Sequence, residues 1–157
     1  MPLAAEVLDL AKTKGLMITT AESCTGGLVF AALTDVAGSS AVMDRGFITY
    51  TNDAKHEMLG VKRQTLSAFG AVSEEVAKEM AEGARARSNA QIAVSITGIA
   101  GPGGSDHKPE GRVCFGVTHN TETITETIEF GALGRENVRN AAQNHALKLL
   151  LNATSQY

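Results

Sequence analysis

Ser23 and Cys24 stand side by side in TAESCTGG (residues 20–27), where a β-favouring run gives way to two glycines. A hydroxyl or thiol at the start of a helix can attack a carbonyl carbon. Neighbouring backbone N–H groups can then receive the oxyanion, because the first N–H groups of a helix lack intrahelical acceptors and its dipole favours negative charge. A serine at such a place can equally be an N-cap and nothing more. The stretch is not G-x-S-x-G, so it does not announce an α/β-hydrolase elbow. Cys24 competes as nucleophile, since a thiol at a helix start is easily ionised. A cysteine would need an imidazole partner, and His56, His107, His119 and His145 show no spacing that singles one out or builds a metal site.

Without a His–Asp pair the serine needs another base. Lys55 follows Tyr50 by five residues, so both can face the cleft at the end of the strand that precedes them. A lysine is a base at neutral pH only if burial or a second cation lowers its pKa from about 10.4 by two or three units. Tyr50 could relay the proton or orient the hydroxyl. The plainer alternative is a solvated helix lysine beside an edge tyrosine. TGIAGPGG (97–104) is a glycine-rich loop of the kind that cradles oxyanions, but it lacks the Lys-Ser/Thr ending of a P-loop and fails the G-x-G-x-x-G spacing. Arg135, at the opening of the last helix, could add charge to such a site or be an ordinary surface arginine.

These residues need elements to hold them. Leu3, Val7, Leu10 and Ala11 predict an opening helix over 3–13, and Gly15 ends it. A short strand is expected at 16–19, a helix opening at Gly26-Gly27, a strand at 42–50 and a short helix capped by Asn52. Ser73 precedes the clearest helix, 74–87, whose stripe is Val76, Ala77, Met80, Ala81 and Ala84. The apolar strand 91–97 leads into the glycine loop. Strands 112–119 and 123–130 form a hairpin through Asn120, and a helix over 135–151 closes the chain. Alternating strands and helices imply an α/β fold: a three-layer α/β/α sandwich with a mostly parallel mixed sheet and one antiparallel strand. Ligands of such sheets bind beyond the strands' carboxyl ends, and both ESCTGG and TGIAGPGG fall there.

Composition narrows the function. A length of 157 residues, 43% hydrophobic and 20% charged, suits one globular domain over 1–157. A net charge of −3 with 4% aromatic residues disfavours nucleic acid and membrane surfaces as partners. Two unpaired cysteines and no apolar leader suggest the cytoplasm.

Five blocks together resemble one family: TAESCTGG, GFITYTNDAKHEMLGV (46–61), GAVSEEVAKEMAEGAR (70–85), SITGIAGPGG (95–104) and GRENVR (134–139). In order and separation they are similar to the C-terminal domain of CinA, the competence/damage-inducible family that includes stand-alone PncC enzymes. The resemblance implies the sandwich fold, a homodimer, no metal or organic cofactor, and a small-molecule substrate, nicotinamide mononucleotide. Its carboxamide would be hydrolysed to nicotinate mononucleotide and ammonia. Ser23 would be the nucleophile, with Lys55 and Tyr50 as its catalytic partners. Amides around Cys24, Thr25, Gly26 and Gly27 would hold the oxyanion. Thr97, Gly98 and Gly101 would line the nucleotide pocket, and Arg135 would meet the phosphate. After Gly104 the chain reads SDHKPEGRVCFG, where the family usually has a longer glycine- and threonine-bearing loop, Thr at position 112 and Trp at 114. An altered loop leaves two other readings: an amidase for another small carboxamide, or a nucleotide-binding module without turnover.

Overall fold

Helix α1 (Leu3–Lys14) ends at Gly15, whose left-handed φ of 67° lets the Gly15 and Leu16 amides return to the carbonyls of Lys12 and Ala11. That six-residue closure is a Schellman motif, with Leu16 buried as its hydrophobic partner. Leu16 therefore belongs to the helix end, and β1 begins later than its apolar run suggested, at Ile18–Glu22. In this computed structural model, which describes residues 1–105 and 107–157, the chain continues with α2 (Leu28–Thr34), a 3₁₀ turn (Ser39–Ala41) and β2 (Met43–Ile48). Then come α3 (Asn52–Leu59), α4 (Arg63–Phe69), α5 (Glu74–Ala86), β3 (Ile92–Gly98), β4 (Arg112–His119), β5 (Glu122–Glu129) and α6 (Arg135–Gln156). Among the described residues, no helix is long and apolar enough to cross a membrane.

The five strands pair in the order β2-β1-β3-β4-β5. Strand β1 is parallel to β2 and β3, while β4 pairs antiparallel with both β3 and β5, so β4 alone opposes the others, as expected. The β4–β5 turn contains Asn120 at φ 55°, a conformation that asparagine tolerates better than most residues. Helices α1, α2 and α6 cover one sheet face over a core that includes Val7, Val29, Val94, Phe115 and Val138. Helices α3, α4 and α5 cover the other, over Leu59, Leu66, Met80, Ala21 and Ala93. The three-layer sandwich follows.

Several expectations need correcting. Asn52 does not cap α3; Thr51 does, its hydroxyl accepting from the Ala54 amide at 3.0 Å. Helix α4 had no clear apolar period to announce it, having a single buried residue, Leu66. Helix α6 runs past 151 to Gln156, and β2 stops at Ile48. The α5 stripe is buried as predicted, and Ser73 accepts from the Val76 amide at its start.

The strand period of two sets which way each side chain points at the end of β1. Side chains alternate between faces, so Glu22 turns toward α2 while Ser23 continues the side of Ala21, toward α3 and α5. The Ser23 amide still donates to Ile96, extending the β1–β3 ladder by one bond. Ser23 thus sits at the carboxyl end of the central strands, where the connections leave for opposite faces. This is the crevice in which open α/β sheets bind ligands.

Candidate active site

Lys55 reaches Ser23 from the α3 side. It projects from the first turns of α3 on the same face as Leu59, and it is 1% exposed. Gly83 of α5 makes that placement possible: a Cβ there would lie 2.0 Å from the Leu59 carbonyl oxygen, so only glycine lets α3 close onto α5. The Lys55 Nζ lies 3.1 Å from Ser23 Oγ and 3.1 Å from the Tyr50 carbonyl oxygen. Among the described residues it has no carboxylate partner. Burial with no counter-ion disfavours the ammonium, and the pKa falls from 10.5 to about 8. A thiolate at Cys24 would oppose that shift. Burial, however, pushes the Cys24 thiol up to about 11, so at neutral pH it carries no charge. The same protonation removes Cys24 as a nucleophile and leaves it as a wall of the cleft.

Tyr50 participates differently from expectation. Its backbone carbonyl accepts from Lys55 and, at 3.4 Å, from Ser23 Oγ. Its phenol is directed to the rim: the residue is 60% exposed and the hydroxyl accepts from Arg135 Nη2 at 3.2 Å. Among the described residues the phenol makes no hydrogen bond to Ser23 or Lys55; the Tyr50 carbonyl contacts both. The reason is local, since β2 ends two residues earlier and the 49–51 connector presents main chain to Ser23.

The helix start after Ser23 is also occupied. Glu22, fully buried, accepts at one carboxylate oxygen from the Gly27 and Val29 amides at 3.1 and 3.0 Å. The other oxygen accepts from Phe30 N–H at 2.9 Å and Thr20 Oγ1 at 3.1 Å. The Gly26 amide donates to Ser23 O. Gly26 and Gly27 thus have no free donor for an oxyanion, and Thr25 is fully buried behind the wall. Within the 24–27 stretch, Cys24 alone both lines the cleft and keeps an amide without an acceptor among the described residues. The expected four-amide cradle narrows to one residue. Replacing Glu22 with alanine strands three helix-start amides in an apolar setting. We expect a loss of about 3 kcal/mol in urea unfolding, with Glu22→Gln falling between that variant and wild type. An unchanged midpoint for Glu22→Ala would refute this.

The cleft, about 330 Å³, opens from Ser23 toward the β3–β4 loop. Thr97, Gly98, Gly101 and Arg135 are among the residues that line it. Arg135 donates to the Gly101 carbonyl at 2.7 Å, joining the loop to α6. Thr97 is turned away in part, its hydroxyl donating to Ala71 O. The Ala100 and Gly101 amides donate to no acceptor among the described residues. Lys108 was not foreseen: its ammonium donates to Phe69 O and Val72 O, both at 2.6 Å, and fixes the loop to the α4–α5 connector. Among the described residues the lining therefore carries Lys55, Lys108 and Arg135 and no carboxylate, in a chain of net charge −3. A second missed residue is Arg139. It lies four residues after Arg135, on the same helix face, a spacing that could have drawn attention to it.

The chain is similar to known proteins over nearly its whole length. The family model of the CinA C-terminal domain matches residues 1–154. The chain is 50% identical over 152 residues to the nicotinamide-nucleotide amidohydrolase PncC of Escherichia coli (strain K12), covering 96% of this chain and 92% of that protein. It is 48% identical to a CinA-like protein of Chloroherpeton thalassium, with 98% of this chain aligned, but it spans only 38% of that longer relative. The crystal structure of the competence/damage inducible protein CihA from Agrobacterium tumefaciens superposes with a TM-score of 0.92 at 51% identity, covering 96% of this chain and 93% of that one. The chain belongs to the CinA C-terminal domain family.

Proposed function

We propose that this amidohydrolase cleaves the carboxamide of nicotinamide mononucleotide, with Ser23 as nucleophile and Lys55 as base. The observation that carries the reading is the 3.1 Å contact between Ser23 Oγ and a buried lysine that has no carboxylate partner among the described residues. With a pKa of about 8, roughly a tenth of Lys55 is neutral at pH 7, against about one part in three thousand for an ordinary lysine. Neutral Lys55 takes the Ser23 proton as Oγ bonds to the amide carbon. The carbonyl π pair moves onto oxygen, next to the Cys24 amide. The ammonium then protonates the departing nitrogen, because an amide anion cannot leave, and the C–N bond breaks to give ammonia and an acyl-serine. Water, deprotonated by the same lysine, adds to the acyl carbon and releases the acid and Ser23.

The cleft's charge supports a phosphorylated substrate. Arg135, Lys108 and the Ala100 and Gly101 amides line the same cleft and offer donors to an anion. The E. coli relative named above, with 92% of its length aligned, supports the nicotinamide nucleotide. The test is ammonia release from nicotinamide mononucleotide against nicotinamide, in wild type and Arg135→Met. We expect a far higher kcat/KM for the nucleotide, and a rise of about tenfold to a hundredfold in its KM in the variant, since one charge-assisted hydrogen bond is worth about 1.5–3 kcal/mol. Equal or better turnover of free nicotinamide overturns the phosphate assignment. Binding without ammonia release would instead favour a nucleotide-binding module.

A further inference from the structure

The nucleophile turn is held from α6 by a side chain that nothing in the proposed chemistry uses. Arg139 Nε donates to the Cys24 carbonyl at 3.0 Å, and its Nη2 donates to the Thr25 carbonyl at 3.3 Å. These carbonyls lie 115 and 114 residues away in sequence and directly follow Ser23. Gly26, at φ 57°, completes the fit: a Cβ there would stand 3.4 Å from Arg139 Nη2. Arg139 has no carboxylate partner among the described residues.

A peptide unit is planar and trans, so its N–H and C=O point in opposite directions. A turn that is neither helix nor strand can reverse a peptide plane by coupled rotation of ψ in one residue and φ in the next, moving its neighbours little. The Ser23–Cys24 plane is held by the Gly26 amide on Ser23 O, and the Thr25–Gly26 plane by the Leu28 amide on Thr25 O. The plane between them, Cys24–Thr25, has only Arg139 on its carbonyl among the described residues. Released, it can turn its carbonyl away from α6, carrying the Thr25 N–H with it, and loosen the turn on which Ser23 and the Cys24 amide stand. The guanidinium also puts a positive charge on the two carbonyls that follow Ser23, and a field of that sign favours the anionic tetrahedral state over the neutral amide.

The geometry points to Arg139 as a positioning residue of the reaction, which locks the Cys24–Thr25 peptide and so holds in place the turn that carries Ser23 and the Cys24 amide. This rests on the reading of Ser23 as nucleophile. Its signature separates it from Arg135, on the same helix face. Arg135 meets the cleft lining and affects substrate binding, whereas Arg139 affects the transition state.

The experiment measures kcat and KM for ammonia release from nicotinamide mononucleotide by the full chain carrying Arg139→Lys, Arg139→Gln or Arg139→Ala, beside Ser23→Ala. Thermal unfolding of each variant and added guanidinium chloride at millimolar levels complete it. We expect kcat to fall about 10²-fold in Arg139→Ala and Arg139→Gln, comparable to the loss of one oxyanion donor, with KM within about threefold of wild type. Arg139→Lys keeps the charge but not the two-pronged fork, and falls between. Free guanidinium restores several-fold activity to Arg139→Ala and none to Ser23→Ala. Wild-type kcat in Arg139→Lys, Arg139→Gln and Arg139→Ala, with Ser23→Ala inactive, overturns the positioning role alone. So does a kcat loss that tracks a lowered Tm and is not rescued by guanidinium. Wild-type kcat in Ser23→Ala overturns the nucleophile reading instead.

Discussion

Ser23→Ala lowers kcat for ammonia release by about 10⁴-fold or more, because removing the nucleophile of such a unit costs nearly all of its chemistry. The fold loses little. Ser23 Oγ contributes a hydrogen bond from Lys55 and a long one to Tyr50 O, and Lys55 keeps the Tyr50 carbonyl when the hydroxyl is gone. Cys24 does not take over, although it adjoins Ser23. Its thiol is held near pKa 11 by burial, and no hydrogen bond joins it to Lys55 among the described residues. The measurement is single-turnover and steady-state ammonia release, with urea unfolding as the control for fold. A variant that folds normally and keeps wild-type turnover would remove Ser23 from the mechanism.

Lys55→Met gives the second large effect and has an unusual thermodynamic companion. Loss of the base costs about 10³-fold in kcat/KM. In wild type, kcat/KM rises with unit slope toward pH 8 and levels above it, as the lysine becomes neutral; the residual rate of the variant lacks that limb. The same substitution stabilises the protein at neutral pH. The lysine pKa is lower in the folded chain, about 8, than in the unfolded chain, 10.5. Below pH 8 both states bind the proton, and the fold bears the full penalty of a buried ammonium. Between about pH 8 and 10.5 the unfolded chain binds more protons, so wild-type stability rises with pH there and the penalty disappears. Lys55→Met should therefore unfold at higher urea than wild type at pH 7, by about 2 kcal/mol, and this advantage should shrink across that window. A variant less stable than wild type at pH 7, with unchanged activity, would contradict both the burial argument and the base.

Activity and stability thus oppose each other at one residue. A lysine enclosed with no carboxylate partner among the described residues costs the fold stability, a pattern expected where chemistry rather than packing selects the side chain. Glu22 is the reverse case. Its buried charge is matched by four donors, and it fixes the strand-to-helix turn on which Ser23 stands.

Much of this fold is local, and local features are legible. Gly15 at the end of α1, Ser73 before α5, the five-residue buried stripe of α5 and Asn120 between β4 and β5 all act through neighbours a few residues away. Their chemistry could be read in order along the chain. Even so, β1 was displaced, because Leu16 is buried by a helix-end closure and not by a strand. The candidate residues were likewise recognisable as a set, through five blocks in fixed order.

Tertiary structure alone decided what those residues do. The burial of Lys55 depends on Gly83 meeting Leu59, and its contact with Ser23 spans 32 residues. Tyr50 contributes its carbonyl, and its phenol goes to Arg135, 85 residues away. Glu22 takes the helix-start amides that the sequence offered to an oxyanion, and Arg139 reaches back 115 residues to the turn. A sequence states which groups exist and how near they lie along the chain. Their protonation and direction come from burial and from distant partners, which exist only once the layers have closed.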